Sequence, residues 1–241
     1  MSAPLKAIWH DLECGSYAED LGVWEALAAR CDGPVLDVGA GTGRTTLALA
    51  AAGYEVTAID LDDELLEQLR YRAGGLEVTT MVADARAFWL GREFALCIVP
   101  MQTIQLMGGP EGRAAFLSCA RDHLALGSRL AIAIAEDLEC FDTAGGGPGP
   151  LPDVVEIEGI IYCSRPTAIR EDGDGWVLER RRETVTIDGQ LSATQDLIHL
   201  DRLDPATLES EGTATGLRPV GRVAIPPTAD YAGSTVVVLS V

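Results

Sequence analysis

Positive charge is what this sequence has least of. Lys and Arg together number 18 against 37 Asp and Glu, a formal net charge of −19. A surface that acidic repels phosphate backbones, which argues against nucleic acid as substrate or partner. It would draw in a cationic cofactor or an amine substrate; acidity that serves solubility alone is the other reading. No apolar run approaches the ~20 residues of a membrane-spanning helix, and residues 1–14 carry no apolar core of a secretory signal. The expected setting is therefore cytoplasmic, with no membrane partner. The six cysteines (Cys14, Cys31, Cys97, Cys119, Cys140, Cys163) form no Cys-x-x-Cys pair, so neither a disulfide framework nor a zinc site is suggested. Cys97 and Cys119 lie in apolar runs and read as buried thiols.

What is present is organised around Val35-Leu36-Asp37-Val38-Gly39-Ala40-Gly41-Thr42-Gly43-Arg44. This reads as a buried strand, a glycine-rich turn and a helix opening at Arg44. Glycines at alternate positions allow φ > 0 and close approach to a ligand. The helix start adds free N–H groups at the positive end of a dipole. Such a turn sits where open α/β sheets bind ligands. The dinucleotide fingerprint needs a glycine where Arg44 stands, which argues against an NAD(P)- or flavin-dependent oxidoreductase, the nearest rival. A second strand over 55–60 ends at Asp60, close to the ~20-residue spacing at which an acidic side chain reaches ribose hydroxyls. Leu61 follows it, and Asp62 caps the next helix.

Asp37-Val38-Gly39-Ala40-Gly41-Thr42-Gly43, followed by Asp60 and Asp84, resembles the class I S-adenosylmethionine-dependent methyltransferases over roughly residues 35–135. The resemblance implies a Rossmann-like α/β fold: a seven-stranded sheet, mostly parallel with the last strand antiparallel. It implies S-adenosyl-L-methionine as cofactor and S-adenosyl-L-homocysteine as product. Asp37, Gly39, Ala40, Gly41 and Gly43 would form the first cofactor motif. Asp84 and Ala85 would meet adenine, although an Asp in such a loop often only caps a helix. Pro100 and Met101, after a fourth strand over 94–99, would face the methyl group. Tyr17, in a helical leader folded over the cofactor, would reach its carboxylate; a packing role with the hydroxyl in water is equally open.

The remaining chain divides into a leader (1–32), a cofactor-binding core (33–140), a loop with an antiparallel β-meander (141–203) and a closing helix with two strands (204–241), all in one domain. The leader should break near Gly15-Ser16. A helix over 109–126 should turn Ala115, Phe116, Cys119 and Leu124 inward, with a structural His123 near its end, followed by a fifth strand over 129–135. Gly145-Gly146-Gly147-Pro148-Gly149-Pro150 marks a flexible loop within 141–152, neither helix nor strand. Three alternating runs (155–163, 176–187, 191–199), with Asp172-Gly173-Asp174-Gly175 and Asp188-Gly189 between them, form the meander inserted over the catalytic face. Such insertions carry substrate choice in related enzymes.

The loop after the fourth strand lacks the Asn/Asp-Pro-Pro-Tyr motif of nucleobase-amine methylation. Gln102 and Gln105 are the substrate-binding candidates there, unless they cap backbone groups. Proton acceptors, needed only for a protonated nucleophile, would come from Glu136, Tyr162 and His199, with His10 as a further candidate. The ligand set of metal-dependent relatives is not apparent, so no metal is expected. These readings converge on N- or O-methylation of a small molecule by a monomer or homodimer, with an amine slightly ahead. A cofactor-binding module that has lost catalysis is the alternative.

Overall fold

Strand β1 (Val35–Val38) is buried at all four positions, as a strand must be when both of its faces are covered. The computed structural model describes residues 4–147, 149–228 and 231–241. It places β1 between β2 (Val56–Asp60) and β4 (Phe94–Val99). The full sheet runs β11 (Arg218–Ile225), β12 (Ser234–Ser240), β5 (Leu124–Ile134), β4, β1, β2, β3 (Val78–Val82). Only β12 opposes its neighbours; the other strands share one direction. This is the Rossmann-like sheet that the sequence predicts.

Alternation along these strands sorts their side chains into two layers. Leu36, Val38, Cys97, Val99 and Ile132 pack with α5 (Gly109–Arg121) and α6 (Pro205–Ala214). Val35, Leu96, Ile98 and Ala131 pack with α2 (Leu21–Ala28) and α3 (Arg44–Ala51). At about 1.5–3 kcal/mol per fully buried aliphatic or Phe side chain, these layers supply most of the stabilising burial. Helix α4 (Asp63–Ala73) starts where expected: Asp62 accepts a hydrogen bond from the Glu64 N–H at 3.0 Å. Asp204 caps α6 in the same manner through Thr207 N–H at 2.9 Å.

Beyond β5 the chain forms a second, antiparallel sheet: β6 (Phe141–Asp142), β7 (Asp153–Ile157), β8 (Ile160–Asp172), β9 (Gly175–Val185) and β10 (Leu191–Asp201). The expected single run over 155–163 is in fact two strands. Glu158 and Gly159 both take positive φ (53° and 78°), the backbone of a tight two-residue hairpin, and Ile157 pairs with Ile160 across it. Alternation continues through so short a turn, which hides it. Residues 141–142, expected as loop, pair with Ile169 and Ala168 of β8. The glycine run of that loop includes Pro148, which lies outside the described residues. Helix α5 ends at Arg121, earlier than the expected 126, and β5 begins at Leu124, earlier than the expected 129. Ala115 is exposed, whereas Phe116 and Leu117 face the core. His123 is buried, taking the Leu90 N–H on Nε2 (3.1 Å) and meeting the Cys119 carbonyl with Nδ1 (2.8 Å).

The leader is α1 (Leu5–His10), a π-type turn at Asp11–Gly15, and α2, with the break where Gly15-Ser16 predicts it. Ile8 and Trp9 of α1 pack on Tyr162 of β8, so the leader and the meander meet above the carboxyl ends of the central strands. The meander's exit is tied to the core twice. Arg113 pairs with Asp201 (2.7 Å) and with Glu211 (2.6 Å). The Gln105 amide donates to the carbonyls of Ala135 (3.1 Å) and Asp201 (2.9 Å) and accepts from Ala135 N–H (2.9 Å).

Candidate active site

The glycine turn leaves β1 with Gly39, Gly41 and Gly43 at φ of 73°, 55° and 95°. These backbone conformations suit glycine, and each position also carries its own close approach. A Cβ on Gly39 would stand 2.5 Å from Thr103 Cγ2. One on Gly41 would land on the imidazole of His10, and one on Gly43 on the Leu69 side chain. The loop after β4, the leader and α4 therefore converge on one turn, a role for these glycines beyond admitting a ligand.

Above the turn lies a cavity of about 490 Å³. Its floor brings together Asp37, Gly39, Ala40, Asp60, Leu61, Asp84, Ala85, Pro100, Met101 and Gln102, ten of the sequence-predicted residues. Gly41 and Gly43 stand behind it, shaping the turn. Asp37 is 1% exposed. One of its oxygens accepts from Thr46 Oγ1 at 2.6 Å, while Oδ1 has no partner among the described residues. Burial pushes this carboxyl up to about 6. Asp60 accepts the N–H groups of Gly41 (2.8 Å) and Asp62 (3.0 Å), which fixes its carboxylate at the tip of β2. No helix follows Asp84 among the described residues, so it caps none; it accepts the Arg86 N–H (2.9 Å) and pairs with the Arg86 guanidinium (2.7 Å). Met101 takes φ 56° at the end of β4, a left-handed residue of the kind that clusters at ligand sites.

The leader closes one side. Arg44, in place of a dinucleotide glycine, makes two hydrogen bonds to Asp20 and one to the Tyr17 carbonyl. Asp20 also accepts Trp24 Nε1–H at 2.8 Å. This geometry turns Tyr17 away from the expected contact. Its ring lies under the Arg44 guanidinium (5.1 Å) and beside Tyr231 (4.9 Å), its hydroxyl meets Ser234, and it does not line the cavity. His10, Glu13 and Cys14 of the leader do. Burial, then the neighbouring Glu13 charge, pushes the Cys14 thiol up to about 11, so it stays protonated near neutral pH.

The meander forms the roof with Leu178 and Arg180 of β9 and Ile198 and Leu200 of β10. Of the proton-acceptor candidates, His10 lines the cavity and the other three lie elsewhere. His199 falls between Ile198 and Leu200, so the alternation of β10 turns it outward, 68% exposed at its side chain and 4.0 Å from Asp172. Tyr162 is buried edge-on against Trp9. The Glu136 carboxylate accepts the Thr235 hydroxyl on the β12 side of β5. Gln105 is spent on the bridge described above and does not reach the cavity. The roof residues that sequence reasoning missed carry no motif; strand register alone would have found them, by placing 178 and 180 opposite 198 and 196. Glu13 binds the roof to the leader through a two-pronged pair with Arg182 (both 2.7 Å) and the Ser164 hydroxyl (2.7 Å). Burial raises its carboxyl, but these hydrogen bonds outweigh that and hold it below the ordinary range.

Residues 35–127 match the family model described as Methyltransferase domain. Over 127 residues, 52% of this chain, the sequence is 30% identical to the cypemycin N-terminal methyltransferase of Streptomyces sp; the match spans 51% of that protein, about half its length. The fold is similar to CalS10 of Micromonospora echinaspora, an amino pentose methyltransferase solved with bound S-adenosylmethionine (TM-score 0.71, 20% identity, 99% of this chain and 98% of that one). It is also similar to KedS8 of Streptoalloteichus sp, a sugar N-methyltransferase (TM-score 0.71, 18% identity, 99% and 94%). The sheet, with its second antiparallel layer, shares the Rossmann-like fold of these solved methyltransferases.

Proposed function

We propose that this chain is a class I S-adenosylmethionine-dependent methyltransferase that moves a methyl group to an amine nitrogen of a small-molecule acceptor. The observation that carries the reading is the buried carboxylate of Asp37, a residue that lines the cavity and whose Oδ1 has no partner among the described residues. An anionic oxygen so placed costs free energy until a cation meets it, and the cofactor carries an ammonium and a sulfonium. The rest of the floor fits the same group. Asp60 stands at the tip of β2 for the ribose hydroxyls, Asp84 and Ala85 for adenine, and Pro100 and Met101 for the methyl end. His10, which stands over Gly41, would take the role toward the cofactor carboxylate for which Tyr17 was the candidate.

S-adenosylmethionine supplies a methyl group already activated as a sulfonium. This chain's residues hold, align and dry the reactants, and alignment alone is worth about 7–11 kcal/mol of barrier. Along the meander wall no strong proton acceptor faces the cavity among the described residues: Glu136, Tyr162 and His199 lie elsewhere, Cys14 is protonated, Glu13 is ion-paired, and His10, which does line the cavity, stands over Gly41 at the glycine turn with Nδ1 3.2 Å from the Thr42 hydroxyl. That wall suits a nucleophile with its own lone pair better than a hydroxyl that must first lose a proton. The relatives' names point the same way, to sugar, amino pentose and N-terminal amines.

Calorimetry with S-adenosylhomocysteine and with NADH tests the reading. Micromolar binding of the first and none of the second is expected; NADH binding alone would overturn it. Release of S-adenosylhomocysteine in the presence of primary amines then separates an enzyme from a module that only binds.

A further inference from the structure

The strongest unassigned feature is the meander side of the cavity. Arg180 is 8% exposed and lines the cavity there. Its Nε donates to Ser164 Oγ at 3.1 Å, and its Nη2 donates to Asp153 Oδ2 at 2.7 Å. Its Nη1 has no hydrogen-bond partner among the described residues. That group is not sealed from solvent, so it is free to donate to a molecule held in the cavity that Arg180 lines.

Charge limits what can satisfy it. Arg180 and Arg182 stand among Glu13, Asp153 and Asp196, all within 3.6 Å of one guanidinium or the other, so the cluster is net negative by one charge. A carboxylate or phosphate brought to Arg180 would enter a negative surrounding; a neutral oxygen meets no such penalty. The site offers hydrogen-bond donors, and the nearby acceptors are already engaged, so an oxygen with no hydrogen of its own fits best. The same cavity is also walled by Leu106, Met107, Leu178, Ile198 and Leu200, which favour an apolar body.

We infer that the acceptor is an amine carrying an apolar side group and a neutral carbonyl oxygen, the arrangement of an α-amino amide, and that Arg180 Nη1 donates to that oxygen. This rests on the methyl-transfer reading. It makes Arg180 a specificity residue, set by hydrogen-bond geometry as well as by charge.

The test uses the full chain saturated with S-adenosylhomocysteine, titrated by calorimetry with L-leucinamide, L-leucine and isopentylamine. Leucinamide is expected to bind best, with isopentylamine about 10- to 100-fold weaker for want of one hydrogen bond to a charged donor. Leucine, whose carboxylate meets the negative cluster, should also bind more weakly than leucinamide. In Arg180→Lys the advantage of leucinamide over isopentylamine should vanish while the dissociation constant of S-adenosylhomocysteine stays unchanged. The wild-type ranking stands on its own if that variant fails to fold. Equal binding of all three, tightest binding of leucine, or no binding of any would overturn the proposal. Failure to bind S-adenosylhomocysteine, seen before any amine is added, would overturn the methyl-transfer reading itself.

Discussion

The floor and the roof of the cavity are held in place by different forces. The floor is a turn between buried parallel strands, fixed by backbone hydrogen bonds and three glycines, with apolar layers on both sides. The roof is seated by polar ties: Glu13 with Arg182, Arg113 with Asp201, and the Gln105 amide with the Asp201 carbonyl. Floors of this kind tolerate little change, because each glycine faces a neighbour. Roofs of this kind can change their lining without disturbing the sheet, which suits a division between a constant cofactor and a variable acceptor.

Removing Asp20 would break the junction where leader meets floor, and it carries the largest expected effect. Asp20→Ala leaves the Arg44 guanidinium, 10% exposed, without its carboxylate, and strands Trp24 Nε1. Loss of one partner of a buried pair costs about 3–5 kcal/mol, measured as a lower midpoint of urea unfolding.

Asp37→Asn sharpens the comparison, since it tests whether the floor holds its carboxylate for a ligand. The folded carboxyl, at about 6, lies above the ~3.9 of an unfolded Asp. The folded state therefore binds more protons between those values, and stability falls as pH rises through them. Above pH 6 the buried carboxylate destabilises the unliganded protein by roughly 2–3 kcal/mol. The Asn variant should thus be more stable than the parent at pH 8 and closer to it at pH 4. It should also bind S-adenosylhomocysteine more weakly at pH 8, by about tenfold or more, and without the fall in affinity below pH 6 expected of the parent. Calorimetry and thermal melts at the two pH values check both signs.

The smallest effect is expected from His199→Ala, whose side chain points to solvent beside Asp172, away from the roof lining. Stability should move by no more than about 0.5 kcal/mol, and transfer to any accepted amine should be unchanged. A marked loss of turnover would place a reacting group on the outer face of the meander and undo the division drawn above.

The floor was legible in the sequence because motif, spacing and strand pattern all describe one local stretch of chain: Gly39, Gly41, Gly43, Asp60 and Asp84 stand in elements whose ends are signalled by turn residues and caps. The seven-stranded sheet and the existence of the meander were legible for the same reason. The roof was not. Whether 198 or 199 faces the cavity depends on a register set by contacts far along the chain, and a slip of one residue exchanges the faces. Tyr17 misled because Arg44, whose partner could not be read from the sequence, takes its carbonyl and covers its ring. Gln105 misled because a polar side chain in a loop after a central strand can serve the substrate or the backbone, and here Ala135 and Asp201 use every hydrogen-bonding group it has.

The ties that seat the roof have a consequence for the order in which the chain folds. Gln105 reaches across 96 positions to Asp201, Arg113 across 88 to Asp201, and Glu13 across 169 to Arg182. Closing such long loops costs entropy before any contact returns it, whereas β1, β2 and α3 assemble from neighbours. The expected order is therefore that the strands β1 to β5 pair before the cavity has a roof, and that on gentle destabilisation the meander and leader let go first.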